Sequence, residues 1–582
     1  MGSLGRLKNY FWRYWRRYLL GAVCLFGTAT LVMWIPWWIR EGVRVIESGG
    51  AVEDVTFYAV IIAGAAVAQG ITRTLSRFLI FNAARDVEYD LRNDLFAHLE
   101  KLPVAYYHSQ RTGDLMSRVI NDISSVRMLL GPGILNFINA PLYYLYAIVL
   151  MFSMDSRMTL AAMLPYPILI WAVRNFRGKV LKSSRRVQEQ MAELSSYVQE
   201  NLSGMHVVKA YAQELNQTRQ FETLNEDYQK ESMELARLRG LVEPFMKGIN
   251  GFTILIVIWY GGIRAIRGDL MISDLVAFIA YLNVLAWPTA AFGWMLSLVE
   301  RGRAAMERLE EILKVEPEIL SPPVPLRLRD SEGGIEFRNV WFAYNRQTNG
   351  RAILRDINFT LPRGHTLGIV GRTGAGKTTL VQLLSRLYDV SSGEIRLGGR
   401  DIRTLSLSEL RKTLSYVPQD PFLFSTSLRR NLALGRDEVS DEEIQKAVRL
   451  SKLDRDIEIF PQALDTIVGE RGITLSGGQK QRATLARALL LNPPVLVLDD
   501  CLSSVDAETE DEILKGLKAI FKEKTCIIVS HRISAVKEAD EILVLEEGEI
   551  IERGDHQGLL RKDSLYAEFF RQQQLSEELE RI

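Results

Sequence analysis

Long apolar runs fill about the first 310 residues of the chain and are absent from the remainder. A helix through the first run, 18–39, would be roughly 33 Å long and could cross a bilayer. Runs of similar character follow it, and the candidate spans are 18–39, 56–81, 131–154, 158–176, 242–263 and 271–298. The sequence therefore predicts an all-α transmembrane domain of six long membrane helices, and an even number of spans returns the chain to its starting side.

The flanks of the first run predict its orientation. Basic residues precede it and tryptophans lie near its far end, as expected at the two interfaces of a spanning helix: Lys8, Arg13, Arg16, Arg17, Trp34, Trp37 and Trp38. No small-residue cleavage site follows, so a removed signal peptide is not predicted. We expect a multi-pass integral membrane protein of the bacterial inner (cell) membrane, with its N-terminus and its C-terminal domain in the cytoplasm.

Charge and cysteine usage narrow the possible functions. A net charge of +1 gives no overall attraction to nucleic acid, and no nucleic-acid partner is predicted. Cys24, Cys501 and Cys526 are far apart and lack metal-ligand spacing. They predict no disulfide framework and fit a protein whose bulk faces a reducing cytosol.

The charged segments between the apolar runs predict helices that leave the membrane. Residues 82–130 and 177–240 are rich in charged and amide side chains, and 177–240 contains no proline. A structureless loop of about sixty residues would be unusual, so the membrane helices are expected to continue into the cytosol, turn and return. A small cytoplasmic helical domain is the alternative.

Proline marks the end of the membrane half. Residues 314–334, KVEPEILSPPVPLRLRDSEGG, carry four prolines and end in Gly-Gly, which predicts a linker. Beyond it, short β-type runs alternate with helical segments, as in α/β layers. The predicted organisation is a transmembrane domain at 1–313, a linker at 314–334, an α/β domain at 335–570 and a polar helical tail at 571–582.

A glycine-rich segment predicts a nucleotide site. Residues 365–380, HTLGIVGRTGAGKTTL, contain G-x-x-x-x-G-K-[ST] between a strand-like run and a helix-like run. Glycines let the backbone wrap phosphate oxygens, and the following helix start supplies positive potential. The residues predicted to bind ATP here are Gly371, Arg372, Thr373, Gly374, Ala375, Gly376, Lys377, Thr378 and Thr379. Asp499 ends the apolar run VLVL, a position suited to holding Mg²⁺ together with Thr378.

A second anion-binding helix start is predicted a hundred or so residues downstream, in LSGGQ. Ser476, Gly477, Gly478 and Gln479 open a helix there, yet one nucleotide held by one chain does not need two such loops. We therefore expect this segment to contact a nucleotide held by another protomer.

These motifs together resemble those of the ATP-binding cassette (ABC) transporters, and the resemblance covers nearly the whole chain. GRTGAGKT is similar to the Walker A loop, VLVLD to the Walker B strand and LSGGQ to the signature motif, as in exporters with six membrane helices fused to one P-loop nucleotide-binding domain. A soluble ATPase with the same cassette, such as a DNA-repair type, would lack the membrane spans.

The resemblance also implies roles for residues outside the three motifs. Tyr344 would stack on adenine, Gln419 would touch Mg²⁺ and signal to the membrane domain, and His531 would contact the γ-phosphate. Further segments resemble, in order, two loops whose short coupling helices dock on nucleotide domains, an exporter-specific loop and a loop that crosses the dimer interface: 106–123, 200–214, 466–472 and 503–506. Gly113 and Gly204 would permit the turns of the first two.

One residue departs from the family pattern. The family has Glu directly after the Walker B aspartate, to polarise the attacking water, and this chain has Asp500. A carboxylate shorter by one methylene withdraws by about 1 Å, enough to cost on the order of a hundredfold in rate. Gln419, Asp500 and His531 are thus the predicted catalytic residues of a site that binds ATP well and hydrolyses it poorly.

An intact signature beside a short carboxylate resembles one half of a heterodimeric exporter, whose partner carries the glutamate. Two alternatives stay open: a competent homodimeric lipid or peptide exporter, which the retained His531 favours, and an ATP-gated channel or regulatory ATPase. The expected activity is export of hydrophobic or amphipathic cargo, drug-like or lipid, by alternating access in a lipid membrane.

Aromatic residues of the membrane half are candidates for lining the cargo path, although aromatics at helical spacing often only pack helices. They are Trp34, Phe137, Tyr143, Tyr144, Trp259, Phe292 and Trp294. Glu243 and Lys247 lie one helical turn apart and are expected to pair with each other rather than with cargo.

Overall fold

The computed structural model describes residues 4–328, 334–344, 352–436, 438–469 and 475–580. Inside these ranges the side chains of 4, 169, 170, 172–174, 177, 242, 243, 246, 290, 292 and 576–580 lie outside the description. Contacts divide the chain into two compact units: Met1–Glu100 with Thr112–Val315, and Lys101–Arg111 with Glu316–Ile582.

The first unit is helical throughout its described part. Its helices are α1 Leu4–Arg13, α2 Trp15–Glu47, α3 Val52–Leu99, α5 Thr112–Ser117, α6 Ile123–Met128, α7 Ile134–Met154, α8 Ser156–Met163, α9 Tyr166–Ser203, α10 Met205–Ala210, α11 Glu214–Ile266 and α12 Ile272–Leu313, and α4, Val104–Ser109, belongs to the second unit. Two π-helical turns, Arg118–Asp122 and Leu129–Gly133, join α5, α6 and α7 into one helix over Thr112–Met154.

Five helical stretches of the described chain are long and apolar enough to cross a membrane: Trp15–Glu47, Val52–Leu99, Thr112–Met154, Lys247–Ile266 and Ile272–Leu313. Three of the six predicted spans lie within these stretches, and two more, 242–263 and 271–298, overlap Lys247–Ile266 and Ile272–Leu313. The remaining span, 158–176, is divided between α8 and α9 at Leu164 and Pro165. A sixth membrane helix therefore stays a prediction.

Helices do continue far beyond the apolar segments, as the composition predicts. α3 has 48 residues, α9 has 38 and α11 has 53, lengths of about 57–80 Å. These lengths exceed the roughly 30 Å hydrocarbon core of a bilayer. Short helices, α4 and α10, lie in the two segments where docking helices are expected, and Gly204 sits between α9 and α10 at a φ of −94°, open to any residue.

Packing of the membrane unit separates buried faces from apolar exposed ones. Met33, Met158, Phe278 and Tyr281 are fully buried at the centre of one cluster. The apolar stretch of α3, by contrast, leaves most of its surface uncovered, with Val60 about two-thirds exposed. An apolar surface of this kind is compatible with contact with lipid tails in a membrane.

Two ion pairs link helices of this unit near their ends. Asp155 accepts a hydrogen bond from Met158 N at 2.7 Å, capping α8, and its other oxygen accepts from Arg264 at 2.7 Å. Arg40 of α2 forms an ion pair with Asp274 in the first turn of α12, and both residues are more than nine-tenths buried. Pairing satisfies charges that would be costly to bury alone.

The second unit contains two sheets. Its strands are β1 Ile335–Phe342, β2 Leu354–Leu361, β3 Thr366–Gly371, β4 Ser392–Leu397, β5 Arg400–Asp401, β6 Leu414–Val417, β7 Val495–Asp499, β8 Thr525–Val529, β9 Glu541–Glu546 and β10 Glu549–Gly554. One sheet has the order β2-β1-β4-β5 and is antiparallel. The other has the order β10-β9-β3-β8-β7-β6 and is parallel except for β10.

Helices complete this unit. They are α13 Lys377–Leu384, α14 Leu407–Thr413, α15 Leu428–Leu432, α16 Asp441–Leu450, α17 Asp454–Ile457, α18 Gly477–Leu491, α19 Ala507–Glu523, α20 Ile533–Val536, α21 His556–Arg561 and α22 Leu565–Glu580. β3, β7 and β8 are buried at every position, as expected for central strands covered on both faces. α22 crosses the predicted boundary at 570/571, so the tail continues a helix of the folded unit rather than beginning after it.

Candidate functional site

Four neighbouring parallel strands bring the predicted phosphate-loop, Mg²⁺-binding and catalytic residues to one edge of the sheet. Strands β3, β8, β7 and β6 lie side by side, so their carboxyl ends meet at that edge. The segments that leave these ends contain Gly371, His531, Asp499 with Asp500, and Gln419, respectively. The carboxyl edge of a parallel sheet is where α/β proteins bind ligands.

The loop between β3 and α13 has the shape of a phosphate cradle. A Cβ at Gly371 would overlap the carbonyl oxygen of Leu545, and a Cβ at Gly376 would lie 2.8 Å from Leu354 Cδ2. Gly376 also has a φ of +98°, in the left-handed region that favours glycine. The backbone can therefore turn here only because side chains are absent.

Lys377 is folded back over this cradle. Its ammonium donates to Gly371 O at 2.8 Å and to Arg372 O at 3.0 Å, and the residue is 6% exposed. Burial lowers the pKa of Lys377, while Asp500 and Asp499 oppose that shift. Two carbonyl oxygens thus hold the buried Lys377 ammonium group. An anion would stabilise this charge better than the carbonyl oxygens do.

Asp499 is wholly buried and uses both carboxylate oxygens. Thr378 donates its hydroxyl to Oδ1 at 3.1 Å, and Tyr416 donates its hydroxyl to Oδ2 at 2.9 Å. Burial raises the pKa of Asp499, and these two hydrogen bonds work against the shift. The Thr378 and Asp499 oxygens are the hard ligand type that Mg²⁺ prefers, so the donor set fits that ion.

Asp500 has a fixed backbone and a lightly held side chain. Its N–H donates to Val529 O at 2.8 Å and its φ is +46°. Its carboxylate accepts one long hydrogen bond, 3.5 Å, from Gln419 Nε2. The length of the side chain, rather than backbone adjustment, therefore sets how far this carboxylate reaches.

His531 lies beside the same groups. Burial, followed by the charge of Lys377, lowers the pKa of His531, and Asp500 opposes the shift. The imidazole is consequently neutral at pH 7, with one nitrogen able to donate and the other able to accept.

Tyr344 forms an aromatic platform beside the loop. Its hydroxyl is 2.9 Å from Thr379 Oγ1, and its ring meets those of Phe342 and Tyr388 edge-to-face with centroids 4.9 Å and 5.1 Å away. Even so, Tyr344 is 51% exposed. One ring face is thereby left for a planar ligand, as stacking on adenine requires.

The signature segment, Leu475–Gln479, opens α18 with a capping box. Gln479 N donates to Ser476 Oγ at 3.3 Å, and Ser476 N donates to Gln479 Oε1 at 2.8 Å. Leu475 and one face of α18 pack in a helical cluster that includes Leu428 and Ile444, while Leu485 and Ala488 of the same helix pack against the sheet. The two predicted anion-binding loops thus precede different helices of the unit, α13 and α18.

Close packing joins the signature segment to the loop after Asp500. A Cβ at Gly478 would lie 2.9 Å from Ser504 O. The buried Gln481 donates to Ser503 Oγ at 3.0 Å and accepts from Ser504 N at 2.8 Å. Movement of either segment is therefore transmitted to the other through backbone as well as side chains.

Three residues with evident structural roles here are not among the sequence predictions: Tyr416, Gln481 and Arg532. Arg532 pairs with the buried Glu510 and donates to Val505 O at 3.3 Å. The predicted residues Arg372, Thr373, Gly374 and Ala375 lie in the phosphate loop, and Ala375 N donates to Arg372 O at 3.2 Å. Residues 470–472 of the predicted exporter-specific loop lie outside the described residues.

Comparison with known protein families assigns both halves of the chain. Residues 18–289 match the family described as ABC transporter transmembrane region, and residues 354–503 match the family described as ABC transporter. A solved structure titled as a bacterial Atm1-family ABC exporter with ATP bound superposes with a TM-score of 0.79. The two are 27% identical, over 96% of this chain and 98% of the other.

Several curated proteins match along nearly all of this chain. The probable multidrug resistance ABC transporter ATP-binding/permease protein YheI of Bacillus subtilis is 36% identical over 98% of both chains. The multidrug resistance-like ATP-binding protein MdlA of Escherichia coli is 35% identical over 100% of this chain and 98% of its own. An ATP-dependent lipid A-core flippase of Syntrophus aciditrophicus is 33% identical over 84% of this chain and 82% of its own.

These matches bear out the resemblance drawn from the motifs and the fold class, a helical transmembrane domain fused to an α/β nucleotide-binding domain. The chain belongs to the ABC transporter family and is an integral membrane protein with an ATP-binding domain, an ATPase coupled to export across a membrane.

Proposed function

We propose that the chain is one half of a dimeric exporter whose own nucleotide site binds ATP well and hydrolyses it slowly. The observation that supports this most directly is the contrast between two sets of groups. Lys377, Thr378 and Asp499 form a complete phosphate and cation set. Asp500, in contrast, places a short carboxylate on a backbone that is fixed by its bond to Val529.

The binding half of this proposal assigns a role to each group around the phosphate loop. The loop amides and Lys377 would bind the β- and γ-phosphates, and Tyr344 would stack on adenine. Thr378, Asp499 and Gln419 would supply oxygen ligands to Mg²⁺. That ion, when bound, would neutralise charge on the phosphates. His531, neutral at pH 7, would donate a hydrogen bond to the γ-phosphate.

The slow hydrolysis that we propose follows from the short reach of the Asp500 carboxylate. A general base must lie about 2.6–3.2 Å from the proton that it accepts. The Asp500 carboxylate contacts its amide neighbour Gln419 only at 3.5 Å. Because the Asp500 backbone is held by its hydrogen bond to Val529 O, we expect the missing methylene not to be recovered. A loss of about 1 Å costs on the order of a hundredfold in rate.

A second chain is needed to use the signature segment. Its capping box holds the first turn of α18 in order with Ser476 at the helix start. We propose that Ser476, Gly477, Gly478 and Gln479 cap the phosphates of ATP held by the partner half-transporter. A partner with glutamate after its Walker B aspartate would then hydrolyse ATP quickly at its own site. For this reason a heterodimer is the favoured assembly.

Transport would follow from closure of the two nucleotide domains. ATP binds the closed dimer better than the open dimer, so its binding shifts the equilibrium toward closure. Short helices α4 and α10 would pass that movement to long membrane helices, which alternate between inward-open and outward-open. Hydrolysis at the competent site would reset the cycle.

Hydrophobic or amphipathic cargo is supported by the apolar character of the membrane half. Relatives described as multidrug resistance proteins and as a lipid A-core flippase point to the same two cargo classes. Trp34, Phe137, Trp259 and Trp294 are at least one-third exposed and remain candidates for the cargo path. Tyr143 and Tyr144 pack against the buried membrane cluster, and Tyr144 bonds to Thr289.

Two cargo-related predictions fall on side chains outside the described residues. These are the cargo role of Phe292 and the pairing of Glu243 with Lys247. We also propose the orientation predicted from the basic N-terminus, with the nucleotide-binding domain in the cytoplasm and the membrane domain in the bacterial inner (cell) membrane. The proposed domain boundaries are 313 and 334, and the nucleotide-binding domain extends past 570 into α22.

The experiment that tests the proposal compares the chain alone with the chain plus its partner. The purified chain is expected to bind fluorescent ATP but to turn it over slowly, and co-purification with a partner half-transporter should restore brisk turnover. In the pair, a bulky substitution in the signature, Ser476→Arg, should abolish turnover, whereas Asp500→Asn should change it little. Transport is then measured in inverted vesicles that contain both chains.

A homodimer with a competent site is the second candidate, because His531 and Gln419 both lie beside Asp500. Brisk hydrolysis by the chain alone that is lost in Asp500→Asn would establish this second candidate and contradict the slow-site proposal.

A further inference from the structure

The helix that follows His531 begins without a cap of its own. α20 starts at Ile533, two residues after His531, and has only four residues. Its N-cap residue, Arg532, makes no side-chain capping bond. The first N–H groups of a helix lack partners within the helix and need an outside acceptor.

The acceptor comes from the C-terminal helix. Gln573, forty positions further along the chain, accepts from Ile533 N through its Oε1 at 2.6 Å. Its Nε2 lies 3.4 Å from Ser534 Oγ on the same turn. Ile533 itself is 1% exposed, so its N–H has no ready access to water as a substitute partner.

Gln573 is held in place by an apolar anchor. Tyr566 is fully buried, and Phe569 and Phe570 pack against the same cluster as Ile533 and Val536. These residues precede Gln573 by seven, four and three positions, so all four share one face of α22. The Tyr566 hydroxyl is 2.7 Å from His556 Nδ1, which fixes the start of the helix.

The backbone on the other side of His531 is hydrogen-bonded to β3, the strand that leads into the phosphate loop. Ser530 N donates to Ile369 O at 3.2 Å, and Arg532 N donates to Ser530 Oγ at 2.9 Å. With Gln573 at Ile533, the backbone is therefore fixed on both sides of His531. Removal of the Gln573 contact frees one side only.

We propose that Gln573 is a positioning residue for ATP hydrolysis, which acts by fixing the backbone that presents His531. The C-terminal helix thereby supports the nucleotide site through the backbone that it holds at Ile533. The effect on rate depends on the γ-phosphate role proposed above for His531, whereas the effect on backbone order does not.

The test uses the full-length protein with Gln573→Ala, Gln573→Glu and a control, Gln572→Ala. Glutamate retains an oxygen that accepts from Ile533 N. Gln572 is the exposed neighbour on the same helix and contacts only Glu568, at 3.2 Å, in the hydrogen bonds of the described chain. Hydrogen–deuterium exchange reads the order of 531–536, and single-turnover hydrolysis, with protein in excess over ATP, reads this chain's own site even when it is slow.

Loss of one buried hydrogen bond, about 1 kcal/mol, corresponds to roughly fivefold faster exchange at 533–534. We expect this in Gln573→Ala together with a several-fold lower hydrolysis rate and unchanged ATP affinity. Gln573→Glu and Gln572→Ala should behave as the unsubstituted chain.

Unchanged exchange at 531–536 in Gln573→Ala would overturn the proposal, as would faster exchange with an unchanged rate. The second result would also remove His531 from the proposed mechanism while leaving the ATP-binding role of the phosphate loop intact. Equal loss of rate in Gln573→Glu and Gln572→Ala would overturn it as well, because the effect would then be one of the helix as a whole.

Discussion

Lengthening the Asp500 side chain is the most direct test of why this site should be slow. In Asp500→Glu the backbone is expected to stay in place, because its N–H remains bonded to Val529 O at 2.8 Å. The added methylene carries the carboxylate about 1 Å further toward the phosphate loop. Withdrawal of the carboxylate by the same distance is expected to slow hydrolysis about a hundredfold, as argued above. That factor corresponds to about 2.7 kcal/mol in the activation free energy.

We therefore expect the turnover number of the chain to rise by about ten- to a hundredfold in Asp500→Glu. ATP affinity should change by less than about twofold, since the phosphate loop is untouched. The measurement is phosphate release from Mg-ATP by purified protein in lipid nanodiscs, with a fluorescent ATP analogue for affinity. Asp500→Asn is the matched control, because amide and carboxylate have the same reach but only the carboxylate accepts a proton.

Backbone strain sets a limit on this substitution. Asp500 has a φ of +46°, which aspartate tolerates better than glutamate. A stability cost of up to about 1 kcal/mol is expected from that source, so thermal unfolding must be measured alongside. If Asp500→Glu folds normally, binds ATP and turns over no faster than the unsubstituted chain, side-chain reach is not what limits this site.

Three further outcomes are expected. Tyr416→Phe removes a donor to Asp499 and should raise the Mg²⁺ concentration needed for half-maximal ATPase several-fold, as read by titration at fixed ATP; an unaltered titration would exclude a supporting role for the hydroxyl. Gly376→Ala would set a Cβ 2.8 Å from Leu354 on a backbone with a φ of +98°, so fluorescent-ATP affinity should fall at least about tenfold; normal binding would show that the loop can rearrange. Burial holds the pKa of His531 below its ordinary 6.5, so the unfolded chain binds the proton more readily and acidification through 6.5 should reduce stability. His531→Gln should lose less melting temperature between pH 7.5 and 5.5, and an identical loss would contradict that shift.

The sequence predicts most of the site because its chemistry is local. The phosphate loop is read from glycine spacing within a dozen residues, and the signature from a helix start. Local sequence patterns do not predict the roles of Gln481 and Tyr416, because their hydrogen-bond partners are brought close to them only by the fold. Tyr416 reaches Asp499 only because β6 and β7 are neighbours in the sheet, 83 positions apart in sequence.

The membrane half shows a different limit. Apolar runs predict helices wherever composition is uniform: three of the six predicted spans lie within long apolar helices, and two more, 242–263 and 271–298, overlap such helices. At 158–176 the pattern continues across Pro165, yet a turn at Leu164 and Pro165, with backbone angles still in the right-handed helical region, separates α8 from α9. Residue character alone does not distinguish a proline that bends a helix from one that starts a new one.

Residues 101–111 have a consequence for anyone who recombines these proteins. They precede most of the membrane helices in the chain, yet they belong to the same compact unit as the nucleotide-binding domain, and Val104 packs against its sheet core. If only the continuous segment from residue 316 onward were transplanted, the apolar surface that contacts Val104 here would have to accept the corresponding segment of a different protein. Functional chimaeras should need two crossovers, so that 101–111 travels with the ATPase it fits.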